Sequence, residues 1–133
     1  VWSVTSYTEL RRDAIEVDRW NWLHPAEESR LPYIQQQLGA EPNIVVAASD
    51  YMKALPDGLA RWVNAPMVAL GTDGFGRSET RAALRDFFEV DARHIAFAAL
   101  SALARDEQIP VSVTIEAGRT LGIDPDRPNP VTR

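Results

Sequence analysis

The chain has 133 residues, of which 45% are hydrophobic and 25% charged, the balance of a globular domain and not of a disordered or fibrous chain. A chain of this length buries about two thirds of the surface its unfolded form exposes, so one real core is expected. A net charge of −5, with arginines scattered among acids, offers no basic stripe for nucleic acid, and zero cysteines exclude a disulfide scaffold, a thiol nucleophile or an iron–sulfur cluster.

The first predicted element is a strand over "VWSVTSY" at 1–7, on its β-branched and aromatic content. "TELRRDAIEVDRW" follows as a helix, with Thr8 as cap and Leu10, Ala14 and Val17 on one face. His24 precedes Pro25 and so falls in a turn or extended segment. "LPYIQQQLG" reads as a short helix, Pro32 at its first turn and Gly39 just past its end. "NIVVAAS" at 43–49 and "APMVALGT" at 65–72 are nearly continuous in apolar residues, the mark of strands covered on both faces. Between them Met52, Leu55, Leu59 and Trp62 or Val63 recur at helical spacing behind Asp50 as cap, and Pro56 interrupts that helix unless it opens a second turn.

Helices follow over "SETRAALRDFF", capped by Ser78, and "DARHIAFAALSALARDEQ", capped by Asp91. The segment "IPVSVTIEAGRTLGI" is open between strand, from the alternation of Val111, Val113 and Ile115, and helix, which Gly122 could finish. "DPDRPNPVTR" has three prolines in ten residues and is expected to be an extended tail, helical nowhere. Alternating helices and strands predict an α/β domain of three layers, α/β/α, around a mostly parallel mixed sheet. Three strands make a narrow sheet, and residue 1 already begins one, so a fragment lacking a first strand and crossover helix is expected.

"GTDGFGRSETR" at 71–81 is the richest stretch for chemistry. Gly71, Gly74 and Gly76 give G-x-x-G-x-G, not the dinucleotide order G-x-G-x-x-G, and Arg77-Ser78 does not supply a Walker lysine. The expected loop is a tight turn at the carboxyl end of the third strand. Gly74 or Gly76 lies at positive φ, Ser78 caps the next helix, Asp73 holds the turn, and Arg77 is the side chain able to pair with a carboxylate or phosphate. Asp50 and Asp73 both follow apolar strands, where α/β sheets place ligands. His24 and His94 have no metal-ligand spacing, no G-x-S-x-G elbow occurs, and the four tryptophans read as core or interface residues.

Taken together, "VWSVTSYTELRRDAIEVDRWNWLHP", "RLPYI", "SDYMKALPDGL" and "ALGTDGFGRSETRAALRDFFEVDARHIAFAAL" resemble the C-terminal domain of the homodimeric, thiamine-diphosphate-dependent pyruvate dehydrogenase component. The resemblance runs from Val1 to about Arg105. A more distant likeness to transketolases runs from Gly74-Phe75-Gly76 through Phe87-Phe88 to Asp91. It implies a transketolase-type C-terminal domain over 1–123 with the tail at 124–133, and tilts 110–122 toward helix. The enzyme so resembled decarboxylates pyruvate on thiamine diphosphate with magnesium and acetylates the lipoyl group of an acetyltransferase component.

The cofactor is gripped by that enzyme's other two domains, and "TDGFG" shares only two letters with its diphosphate motif. The resemblance therefore assigns no catalytic, cofactor-binding or metal residue to this chain, which alone is expected to be inactive and to bind no cofactor. Its implied partners are the remaining domains of the same chain, the second copy in a homodimer and the lipoyl acetyltransferase. Nucleic acid and membrane are not expected: no run of 18 apolar residues occurs, no signal-peptide pattern opens the chain, and the cytoplasm is the expected compartment. Two other readings are a free-standing small-molecule-binding or regulatory module on this fold, and a transketolase C-terminal domain.

Overall fold

A computed structural model describes residues 1–39 and 43–132. The order of elements is α1 (Tyr7–Leu23), α2 (Tyr33–Leu38), β1 (Val45–Ala48), α3 (Ala54–Asp57), β2 (Met67–Leu70), α4 (Arg81–Phe87), α5 (Ala92–Arg105) and α6 (Val111–Leu121), with short 3-10 turns at Ala60–Trp62 and Pro130–Thr132. The chain divides into two compact units, Val1–Pro42 with Ala54–Ala65, and Asn43–Lys53 with Pro66–Arg133. Among the described residues no helix is long and apolar enough to cross a membrane.

In the first unit, α1 starts two residues earlier than a cap at Thr8 would place it. Ser6, not Thr8, is the cap: its Oγ accepts from the Glu9 N–H at 3.2 Å. That cap also overturns the predicted strand at 1–7. Residues 1–5 are exposed and carry no strand pairing, and β-branched residues hold an extended ladder only where a neighbouring strand supplies the hydrogen bonds. The expectation of a sheet opened by residue 1 falls with it.

The core of this unit gathers Ala14, Ile34, Pro56, Leu59, Trp62 and Val63. The buried Trp62 indole N–H donates to Asp18 Oδ2 at 2.9 Å, and Arg61 pairs with the same carboxylate. Pro32 precedes α2, whose first N–H, on Tyr33, is taken up by Asp13 Oδ2 of α1 at 2.7 Å. The turn after α1 closes when Asn21 exchanges two hydrogen bonds with the Arg30 backbone, at 2.8 and 2.9 Å. Trp20 stacks against His24 at 4.5 Å and carries the Arg30 guanidinium 3.5 Å from its ring centre. The helix expected behind Asp50 is a single turn, α3, that opens four residues later at Ala54, because Pro56 has no N–H with which to continue a longer ladder.

In the second unit, β1 and β2 pair in parallel, with Val45 opposite Met67 and Ala48 opposite Leu70. The described sheet has these two strands. α5 packs on both of them, and α6 packs on α5. The open segment 110–122 resolves as helix: Pro110 starts it, Gly122 ends it in the left-handed region at φ 66°, and Thr114 Oγ1 donates to the Leu100 carbonyl. The alternating Val111, Val113 and Ile115 are exposed, so no second strand claims them. The tail is not free of helix, since Pro130–Thr132 closes a 3-10 turn by Thr132 N–H to Asn129 O. Residue 133, the end of the predicted tail, lies outside the described residues.

Candidate functional site

The carboxyl ends of the two strands are laced together. Ser49 N–H donates to Leu70 O, Thr72 N–H to Tyr51 O, Thr72 Oγ1 to Asp50 O at 2.8 Å, and Lys53 N–H to Asp73 Oδ1 at 3.0 Å. Asp73 thus ties its loop to the loop after β1 instead of holding its own turn. Asp50 serves through its carbonyl and caps no helix. Gly71 lies where a Cβ would come 2.5 Å from Tyr51 O and 3.0 Å from Lys53 N, so only glycine allows this lacing.

Past this anchor the loop turns outward. Gly74 takes φ +88°, the positive-φ position the sequence offered to it or to Gly76, and its open side faces the backbone of Val131 in the tail. Gly76 is outside the left-handed region, and a Cβ there would meet nothing within 4 Å. Phe75 is 92% exposed at the tip. Ser78 is exposed and caps nothing; Thr80 does, its Oγ1 accepting from Ala83 N–H at 3.3 Å. The Arg77 guanidinium lies over the Phe87 ring, 5.1 Å from its centre.

Between this loop and α4 is a hollow of about 410 Å³. Leu84, Phe88 and Val90 give it apolar lining, and Asp50, Arg77, Glu79, Arg81 and Arg85 give it charge. Arg77 is therefore not alone at this edge. Sequence reasoning passed over Arg81 and Arg85, although their spacing of four on a helix puts both on one face.

A second cluster joins α4, α5 and the tail. Asp86, Asp91 and His94 bring potential ligand atoms within 4.8 Å of one another. Guanidinium groups already fill this cluster: Arg93 pairs with Asp86 and, at 2.8 Å, with Asp91, while Arg127 reaches Asp86 at 3.0 Å. Burial pushes the Asp91 carboxyl up, but the His94 backbone and ring, with Arg93, outweigh it and bring it down to about 2. The Arg127 hydrogen bond leads in holding Asp86 below the ordinary carboxylate range. The chemistry is that of an ion-pair network tying elements together, with His94 satisfied by Asp91 at 2.7 Å.

Residues 1–91 match the family model described as the transketolase-like TK C-terminal domain. The chain belongs to that family. Among curated relatives of this transketolase-like domain, it is 46% identical over 132 residues to the pyruvate dehydrogenase E1 component of Pseudomonas aeruginosa, covering 98% of the chain and 15% of the relative. It is 47% identical over 131 residues to the same component of Escherichia coli K12, and 41% over 124 residues to that of Mycolicibacterium smegmatis. The chain thus spans about a seventh of the length of the relatives it matches. The resemblance read from the sequence agrees with these matches, and the observed α/β build with a parallel pair of strands agrees with the predicted class. Every residue lining the hollow falls within the span that the transketolase-like family model covers, whereas the ion-pair network crosses its end: Asp86 and Asp91 lie inside it, Arg93, His94 and Arg127 beyond.

Proposed function

We propose that this chain is the C-terminal, assembly-building domain of a pyruvate dehydrogenase E1 component, an oxidoreductase of the cytoplasm. The observation that carries the reading is identity of 46–47% across 98% of the chain to proteins of that name. In the enzyme so proposed, thiamine diphosphate with magnesium supplies the electron sink for decarboxylating pyruvate, and the acetyl group passes to the lipoyl group of a partner acetyltransferase. The other partners in this reading are the rest of the same polypeptide and a second copy of it.

The residues described here do not fit that cofactor. Magnesium asks for a shell of carboxylate, carbonyl and water oxygens, but the carboxylates that converge, Asp86 and Asp91, are occupied by Arg93 and Arg127. The hollow beside α4 presents guanidinium groups, which repel the magnesium ion that holds the diphosphate in such a site. No step of the reaction is therefore assigned to this chain. The domain boundary in this reading lies at 1–123, with 124–133 appended to it, and the loop Asp73, Gly74, Gly76, Arg77 and Ser78 is part of the domain's outer edge.

The test is direct. The full-length polypeptide, given thiamine diphosphate and magnesium, should decarboxylate pyruvate with an artificial electron acceptor and reductively acetylate a free lipoyl domain. The 133-residue chain titrated calorimetrically with the same cofactor should give no heat of binding that depends on magnesium. A full-length protein inert toward pyruvate but active on sugar phosphates would replace this reading with a transketolase.

A further inference from the structure

Arg81 and Arg85 both line the hollow beside α4. They stand four apart on one short helix, where like charges repel. Arg81 is also the first residue of α4, at the positive end of the peptide dipoles, where a cation is disfavoured and an acid is usual. Two carboxylates line the same hollow, Asp50 and Glu79, yet among the described residues neither is within ion-pair or hydrogen-bond reach of Arg81 or Arg85. Glu79 instead accepts the Thr80 N–H at 3.0 Å. Arg93 and Arg127 of the same unit take carboxylate partners, whereas Arg81 and Arg85 share one concavity and have none among the described residues.

The hollow also has the size and mixture of a small-molecule site. Its volume of about 410 Å³ falls in the range of metabolite pockets, and Leu84, Phe88 and Val90 give it an apolar floor, with Phe75 exposed at the rim. We propose that this hollow binds a small dianionic phosphoryl compound with an apolar or aromatic body, its phosphoryl oxygens held by Arg81 and Arg85 and its body laid on Leu84 and Phe88. A guanidinium fork meets phosphoryl oxygens with two parallel hydrogen bonds, and a dianion also relieves the repulsion between the two arginines, whereas a neutral ligand does neither.

Phenyl phosphate is a probe with both features; inorganic phosphate lacks the ring and phenol lacks the charge. Calorimetric titrations of the full-length polypeptide at constant ionic strength should rank phenyl phosphate above inorganic phosphate, with phenol not binding. Arg81→Gln/Arg85→Gln should weaken phenyl phosphate by about tenfold or more, the loss expected for charged hydrogen bonds. The comparison of wild type with variant isolates this hollow from any other phosphate site. Both side chains are exposed, so an unchanged circular dichroism spectrum is expected in the variant. Arg105→Gln, on exposed α5 surface outside the hollow, should leave the affinity as it was. Equal affinity in wild type and the double variant would overturn the proposal, as would an equal loss in Arg105→Gln, which would reduce the effect to net charge.

Discussion

Three glycines in one loop carry three different burdens. At Gly71 the limit is space, since its missing Cβ points at the Tyr51 carbonyl and the Lys53 amide, both backbone and unable to swing aside. At Gly74 the limit is torsion: φ +88° is open to glycine and strained for other residues, while the nearest atom is a tolerable 3.4 Å away. At Gly76 neither limit applies. Alanine substitutions should therefore fall in a fixed order. Gly71→Ala should cost about 3 kcal/mol, the upper end for overpacking, and Gly74→Ala about 1 to 2 kcal/mol. Gly76→Ala should be neutral or stabilise by up to ~1 kcal/mol, through the lower entropy of the unfolded chain. Urea midpoints of the three variants check the order, and a Gly76→Ala variant as damaged as Gly71→Ala would contradict the geometry.

The same loop shows how an element chooses its own start. Ser78 and Thr80 are both plausible caps before "RAALRDF", and Thr80 wins because α4 opens at Arg81, which puts the Thr80 hydroxyl over the Ala83 amide. Thr80→Ala should cost about 1 kcal/mol, and Ser78→Ala nothing measurable, when the two are compared by thermal denaturation. The parallel strands, the cap of α5 at Asp91 and the close of α6 at Gly122 were legible, because continuous apolar runs, an acid before a helix and a terminal glycine act within a few residues. What the sequence hid depended on partners far along the chain. Residues 1–5 had strand-like composition but no described strand beside them, and the ends of α4 and α5 turn at Glu89 and Glu107, with φ of 59° and 57°, where no glycine announces them. Within the candidate site, the loop's place at a strand end could be read from Asp73 to Ser78. Arg81 and Arg85 of the next helix could have been found by their spacing of four, but that neither has a carboxylate partner among the described residues is a fact of three dimensions.

At the scale of the whole molecule, the last stretch is tied into the second unit: Arg127 pairs with Asp86 of α4, and Val131 lies beside Gly74. The network through Asp86, Asp91, Arg93, His94 and Arg127 fastens α4, α5 and the tail with charges, and charges tie stability to pH. Asp91 titrates at about 2 in the folded chain, below the value near 3.9 typical of an unfolded aspartate. Its folded form binds the proton less readily than its unfolded form. The stabilisation it contributes is therefore complete above about pH 4 and is lost as the pH falls toward 2; Asp86, shifted the same way, adds to the loss in acid. Asp91 is also the cap of α5, so the substitution that separates charge from cap is Asp91→Asn, because asparagine caps a helix as well as aspartate does. The urea midpoint of wild type should drop between pH 4 and pH 2 more steeply than that of Asp91→Asn, with the two curves approaching each other at the acid end. Asp91→Ala, which loses the cap too, should lie about 1 kcal/mol below Asp91→Asn at every pH. Parallel curves for wild type and Asp91→Asn over that window would show that the Asp91 carboxylate is not what makes the fold sensitive to acid.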